Sequence, residues 1–401
     1  MPSRLVRPRE SSATVSSEVF PKISYLGPAI RSGLGGPALM FKLLSSYPHD
    51  RLMLVQTHSS EVIGEQLRAA RIINLPCAPR WIGIKGRTFF DMSFGIARRA
   101  WSIPLRRRIE QFAPDAMVCV LHGWAAEVAS ILSSTLRIPF HLVIHDAPNV
   151  TLPAPRMFDE FRKERWECLC RRATSRLCVS PGMASEVQKK TGVPASVIYP
   201  SLAPRAHIHR APARDRKPLT FAFAGHIHHG YSELLLRLAN ELAQLNHQLV
   251  LHSPQSETFI AQFAPPATID GGWVGGDKLA STLAEEADVL FLPMSFQRQD
   301  QHNTRVSFPS KLAEYCAAGK PILVWAPAYA STVEWLREHP GFSAIVTSQH
   351  EQELRKAISH LQHTEARNLM GQRAADAANQ LFSHAAVFAA FRRAIGADCA
   401  T

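Results

Sequence analysis

The 401-residue chain contains no uninterrupted apolar run of the roughly 18–20 residues needed to span a bilayer. Its start, MPSRLVRPRESSATVSSEVF, lacks an apolar core of signal-peptide length, and Glu10 and Glu18 interrupt any transit-peptide pattern. That stretch reads as a disordered basic lead-in. Cysteine is sparse: seven residues, an odd number, with no pair-of-pairs spacing for zinc. Several, such as Cys119 and Cys178, lie in apolar runs and read as buried thiols of a reducing cytosol. No short repeat and no recognised DNA- or RNA-binding motif is visible, so a nucleic-acid partner is not expected. What is present is ordinary globular composition, 46% hydrophobic and 19% charged. The net charge is +12, and it is unevenly spread. Residues 1–200 hold 27 Lys and Arg against 15 Asp and Glu, whereas residues 201–401 hold 18 of each. The first half is therefore expected to face something anionic.

Short apolar runs at 22–26, 52–56, 116–121, 140–144, 176–179 and 196–199 alternate with helical patterns at 37–46, 60–71, 90–112, 125–136, 159–173 and 182–191. Buried strands alternating with helices predict a parallel sheet covered on both faces. A Pro- and Arg-rich break follows, and the pattern restarts. Strands are predicted at 219–224, 248–252, 267–270, 289–293, 321–325 and 343–346, and the last helix over 366–395. The expected organisation is a lead-in (1–20), a first domain (21–203), a linker (204–218), a second domain (219–380) and a C-terminal segment (381–401). The predicted fold class is α/β, two Rossmann-like domains facing a central cleft. Ligands in such sheets bind outside the carboxyl ends of the strands.

Three motifs fall at strand ends. GPAIRSGLGGPALM follows the first strand, where Gly35 and Gly36 allow close backbone approach and a helix opens. FAFAGHIHHGY occupies the same place in the second half, with Gly225 closing a strand and His226, His228 and His229 in the loop. Those imidazoles suit a diphosphate or sugar, or are simply exposed; their spacing without nearby acidic or thiol ligands is poor for zinc. RVSFPSKLAEYCAAGKPILVW carries Arg305, a helix expected to begin near Pro309 with Ser310 as its cap, then Lys311 and Glu314. Lys311 with a helix N-terminus suits a diphosphate, and a carboxylate one turn further in suits a ribose diol. The bland alternative is an amphipathic helix with a surface glutamate.

FPSKLAEYCAAGKPIL, preceded by EEADVLFLPMSF, resembles the retaining group 1 glycosyltransferases, family-4-like enzymes of the two-Rossmann GT-B architecture. VSPGMASEVQKKTGVPASVIYPS, PDAMVCVLHGWAAEVASILSS and IPFHLVIHD resemble parts of their first domain. The resemblance implies transfer of a sugar from a nucleotide-sugar donor, held by the second domain, to a glycan or lipid-linked acceptor. It places Glu314 at the second glutamate of the Glu-x7-Glu motif, which binds ribose, and Val306 where the first, sugar-binding glutamate stands. It also sets His226, His228 and His229 where relatives often carry Arg and Lys, with Arg305, Lys311 or Arg298 as substitute cations. Asp270, Gly272 and Trp273 occupy the region that recognises the base in relatives. In the first domain His122, His145 and Asp146 end consecutive strands and are candidates for catalysis or acceptor orientation; the alternative is backbone-bonded strand-end histidines. Neither a cofactor nor a metal is expected, since no Asp-x-Asp sits at a strand end.

The stretch from Arg98 to Arg108 interleaves arginine with Ile and Trp, and Pro104 is expected to break its helix. It suits an anionic membrane surface or a solvated face packed on the sheet. The expected location is cytoplasmic, with peripheral contact at the inner membrane face. Two alternatives to transfer stay open: a donor-binding protein without transfer, motivated by Val306, and a GT-B sugar-nucleotide epimerase. The C-terminal spacing FSHAAVFAAF suits a helix burying one face, and the resemblance implies that it crosses back to the first domain.

Overall fold

A computed structural model describes residues 20–30, 36–56, 67, 70–75, 98–147, 159–263 and 267–396. Two parallel sheets form. The first contains β1 (Ile23–Gly27), β2 (Leu52–Gln56), β3 (Arg71–Asn74), β4 (Ala116–Val120), β5 (Phe140–Ile144), β6 (Ser175–Cys178) and β7 (Ser196–Val197). Their spatial order is β3-β2-β1-β4-β5-β6-β7. The second contains β8 (Thr220–Ala224), β9 (Gln248–His252), β10 (Thr268–Asp270), β11 (Val289–Pro293), β12 (Ile322–Trp325) and β13 (Ser343–Val346), in the order β10-β9-β8-β11-β12-β13. Strands β1, β2, β4 and β5, and β8 and β11, are buried along their whole length, as apolar strands between helical layers must be. In both sheets the order reverses beside the first strand, between β1 and β4 and between β8 and β11, which opens a crevice at each carboxyl edge.

Among the described residues of the first domain the helices are α1 (Gly36–Leu44), α2 (Arg98–Phe112), α3 (Ala125–Leu136), α4 (Asp159–Arg172) and α5 (Pro181–Thr191). The second holds α6 (His229–Gln244), α7 (Ser256–Phe263), α8 (Leu279–Glu286), α9 (Gln301–Val306), α10 (Lys311–Ala317), α11 (Ser331–Glu338), α12 (Glu351–Leu361) and α13 (Thr364–Ala377). A π-type turn over Ala378–Phe382 and a break at Ser383 precede α14 (His384–Ala394).

Several expectations change. The helix expected over 60–71 lies largely outside the described residues, and its last residue, Arg71, instead opens edge strand β3. Alternation over only four residues, Arg-Ile-Ile-Asn, carries too weak a signal to be read. Pro104 does not break α2, whose described part runs through it. Pro104 has no N–H to donate to the Ala100 carbonyl, yet the helix continues on both sides of it. The single helix expected to the C-terminus is two, because Ser383 leaves the helical conformation and its hydroxyl caps α14 at Ala386 N–H, 3.4 Å away.

The chain crosses between domains twice, and the crossings are tied together: Leu202 N–H donates to the Phe382 carbonyl at 2.8 Å. Beyond the second crossing α14 buries Val387, Phe391 and Ile395 against Ile23, Leu54 and Ile198 of the first domain. A further contact joins α5 to α9. Ser180 Oγ donates to the Val306 carbonyl at 2.5 Å and accepts from Met183 N–H at 2.8 Å. A Cβ on Gly182 would stand 2.5 Å from the Arg305 carbonyl oxygen, so only glycine lets the two helices approach this closely.

Candidate functional site

The crevice of the second sheet is built around Gly225. Strands β8 and β11 pair only as far as Ala222 and Leu290, then part. The Tyr315 hydroxyl fills the gap, accepting from Ala224 N–H at 2.9 Å and donating to the Phe291 carbonyl at 3.2 Å. Gly225 follows at φ +127°, and a Cβ there would meet Lys311 Nζ at 2.8 Å. The backbone angle therefore requires glycine, and a Cβ would also push the Lys311 ammonium aside. Lys311 Nζ lies 4.2 Å from the Phe223 ring centroid and 5.2 Å from that of Tyr231. The residue as a whole keeps some solvent access, but its charged end sits among these rings, and burial pushes its pKa down to about 7. A neighbouring phosphate would draw the proton back.

Ser310 stands at the N-terminal boundary of α10 but makes no capping bond: its backbone is already helical, and the first turn closes from Leu312 N–H to the Pro309 carbonyl at 3.1 Å. A capping hydroxyl needs an extended backbone, which Ser310 lacks. Of the histidines, His228 caps α6, its Nδ1 accepting from Gly230 N–H at 3.2 Å. His226 is exposed, bonds Gln255 at 3.2 Å and lies 5.7 Å from the half-exposed Trp273 ring. Asp270 accepts from Ser256 Oγ at 2.6 Å and Gly272 N–H at 2.8 Å, and these bonds hold its carboxyl pKa down. It shapes the loop that carries Trp273. Below that loop His252 is fully buried, with Nδ1 3.1 Å from the Gly271 carbonyl and Nε2 3.1 Å from a Glu286 carboxylate oxygen.

Glu314 opens onto a cavity of about 680 Å³ between the domains, walled by Phe41 and Lys42 of α1, Ala206 and His209 of the linker, and Leu279 of α8. Lys42 Nζ donates to Glu314 Oε1 at 2.9 Å. Sequence reasoning missed Lys42, since one lysine late in an apolar helix gives no signal beyond a solvated end. Arg305 does not join this group. It lies over the Tyr329 ring, 4.9 Å from the centroid, and lines a separate cavity of about 340 Å³ between α5 and α11. Val306 is buried with Met183 and Val187 of the first domain. Gly36 begins α1, and Gly35 lies outside the described residues.

Across the cleft, His122, His145 and Asp146 do come together at the ends of β4 and β5. His145 Nε2 is buried without a hydrogen-bond partner among the described residues. Burial, helped by the neighbouring His122, takes the His145 pKa down to about 4, so the ring is neutral at pH 7. His122 is exposed as a residue, yet desolvation against the strand ends lowers its pKa, with Asp146 opposing. Desolvation raises the Asp146 pKa and His122 opposes it. Among the described residues no three His, Cys, Asp or Glu side chains gather to hold a metal ion, and no helix is long and apolar enough to cross a membrane.

Residues 64–203 match the sequence profile of Glycosyltransferase Family 4. No curated protein matches the chain. Among solved structures, HepE of Anabaena in complex with UDP is similar at 14% identity and a TM-score of 0.65, over 93% of this chain and 98% of that one. Sucrose-phosphate synthase of Thermosynechococcus elongatus gives 14% identity and 0.65 over the same shares, 93% and 98%. The lipopolysaccharide outer core galactosyltransferase WaaB, in its apo form, gives 16% and 0.63 over 94% and 99%. The chain thus has the GT-B fold along nearly its whole length, and residues 64–203 carry the Glycosyltransferase Family 4 match.

Proposed function

We propose that the protein is a glycosyltransferase that moves a sugar, of hexosyl type, from a nucleotide-sugar donor to a glycan or lipid-linked acceptor, with retention at the anomeric carbon. One observation carries the reading: Glu314 and the Gly225–Lys311 pair stand at the carboxyl edge of the second sheet, with Glu314 facing an interdomain cavity large enough for a nucleoside. In this reading Glu314 takes the ribose diol and Lys311 the diphosphate. The acceptor hydroxyl attacks the anomeric carbon on the face from which the diphosphate leaves. The bond from that carbon to the diphosphate oxygen breaks, the bond to the acceptor oxygen forms, and the hydroxyl proton passes to the departing diphosphate. Lys311 and backbone amides meet the leaving charge, a role that needs no metal or cofactor. His145, held neutral, and Asp146, with His122 beside it, orient the acceptor hydroxyl from the opposite sheet.

The acceptor side suits an anionic surface. On α2, Arg106, Arg107 and Arg108 are exposed among the described residues, Arg106 pairing with Glu110 at 2.7 Å, while Leu105, Ile109 and Phe112 are buried, so the basic face suits lipid headgroups. In this reading the protein is cytoplasmic and binds the membrane peripherally. Liposome co-sedimentation that is lost in Arg106/Arg107/Arg108→Glu supports this; equal sedimentation of both proteins contradicts it.

Incubation with UDP-, GDP- and ADP-sugars and an acceptor library tests the activity. The expected result is release of one nucleoside diphosphate, lost in Glu314→Ala. Failure of every donor to bind or turn over would overturn the reading. Val306 favours one second reading, because a buried valine offers nothing to a sugar hydroxyl where the resemblance expects a carboxylate. Donor binding without release across the library would favour a binding protein without transfer.

A further inference from the structure

The ion pair between Lys42 and Glu314 joins the two domains beside the two chain crossings. Lys42 is on α1 of the first domain and Glu314 on α10 of the second, with side chains only 19% and 17% exposed. The same ammonium donates to the Ser201 carbonyl at 2.6 Å, one residue before Leu202, which bonds Phe382 across the two chain crossings. On the other crossing stands His384, both of whose ring nitrogens are buried without hydrogen-bond partners among the described residues. Burial first, and then the charge of Lys42, lower the His384 pKa. Lys42 therefore faces both chain crossings and the second domain's carboxylate at once.

A ribose diol binds a carboxylate through two hydroxyls, each donating to an oxygen. Here Oε1 already accepts from an ammonium that also holds the Ser201 carbonyl, so a diol reaching the carboxylate must share it with Lys42 or displace Lys42. A half-buried carboxylate gripped in this way offers a diol only part of its acceptor capacity. Exchange of partners at Glu314 would leave Lys42 holding only the Ser201 carbonyl within the first domain's own chain end. The charged tie from α1 to α10 would then be gone.

We propose that Lys42 and the donor ribose compete for Glu314, so that nucleotide binding releases a clasp between the domains beside the chain crossings. The inference rests on the proposal that Glu314 receives a nucleotide. Binding is opposed by the free energy of the ion pair, and removing Lys42 removes that opposition. Lys42 is thus a positioning residue: it sets the availability of Glu314 and the freedom of one domain relative to the other.

The test titrates UDP, GDP and ADP into the wild-type protein, Lys42→Met and Lys42→Arg by calorimetry, with thermal melts to confirm folding. For the nucleotide that binds, Lys42→Met is expected to tighten the Kd by about five-fold, the scale of a partly exposed ion pair, and Lys42→Arg to leave it near wild type. Small-angle scattering of the nucleotide-free proteins should show a larger radius of gyration for Lys42→Met than for wild type. Unchanged or weaker binding by a folded Lys42→Met overturns the clasp and leaves the nucleotide reading standing. No binding of any of the three nucleotides to wild type or Lys42→Met overturns both.

Discussion

At the carboxyl edge of the first sheet stand two desolvated imidazoles and a carboxylate; at the same edge of the second stand a glycine at φ +127° and an ammonium packed on aromatic rings. The strand order around each crevice is the same, so the difference is chemical and not topological. Burial pushes His145 toward neutrality and Asp146 toward its protonated form, which suits a hydroxyl better than an anion. Lys311 is also pushed toward neutrality, but an arriving phosphate reverses that shift and would be bound by a full charge. One fold used twice thus presents one edge fit for a neutral nucleophile and one fit for a charged leaving group. The charge of the whole chain follows a different division. The excess of basic residues lies in the first half, away from the proposed diphosphate, so the donor does not account for it.

Deleting residues 383–401 should break the comparison most severely, because it takes a second-half helix away from the first domain. The first domain's core loses the packing of Val387, Phe391 and Ile395, about 2 kcal/mol for each side chain. A melt should show the first domain unfolding several degrees earlier; an unchanged Tm would mean that α14 is not part of that core. Val306→Glu should come next. It places an unpaired carboxylate among Met183 and Val187 at a cost on the order of 3 kcal/mol, lowering the Tm or opening the domains as read by scattering. No change in either would show that the α5–α9 contact does not exclude water. The smallest effect concerns pH. Because the Lys311 pKa is near 7 without ligand, binding of a nucleoside diphosphate at pH 8 should take up a proton, and affinity should fall as the pH rises above 7. Calorimetry in buffers of different ionisation enthalpy reads the uptake, and Lys311→Met should abolish it; uptake that survives the substitution would place the diphosphate elsewhere.

The two sheets, and the one buried face of the last helix, were legible in the sequence as continuous apolar runs and a one-faced helical spacing, whereas the return of that helix to the first domain was implied by the family resemblance. Glu314, Lys311 and Gly225 were legible as candidates for another reason: Lys311 and Glu314 share one short motif on α10, and Gly225 closes a strand in a motif of its own, although their contact across 86 positions was not legible. What was not legible is long-range. Lys42 is 272 positions from Glu314, and nothing local marks it as the partner of that carboxylate. Arg305 looked like an anion ligand and Ser310 like a helix cap by proximity in sequence, yet the Arg305 side chain turns toward Tyr329 and Ser310 is already in helical conformation. Val306 shows the same limit, since its burial depends on α5 from the other domain. Edge strand β3, only four residues long, was too short to leave a pattern.

The most direct test of the account is a calorimetric titration of nucleoside diphosphates into the full chain and its Glu314→Ala variant. The account predicts saturable 1:1 binding of at least one of UDP, GDP and ADP, weakened by about ten-fold or more in the variant, as loss of two hydrogen bonds to a charged acceptor requires. Binding of equal strength in both proteins, or none in either, would contradict it.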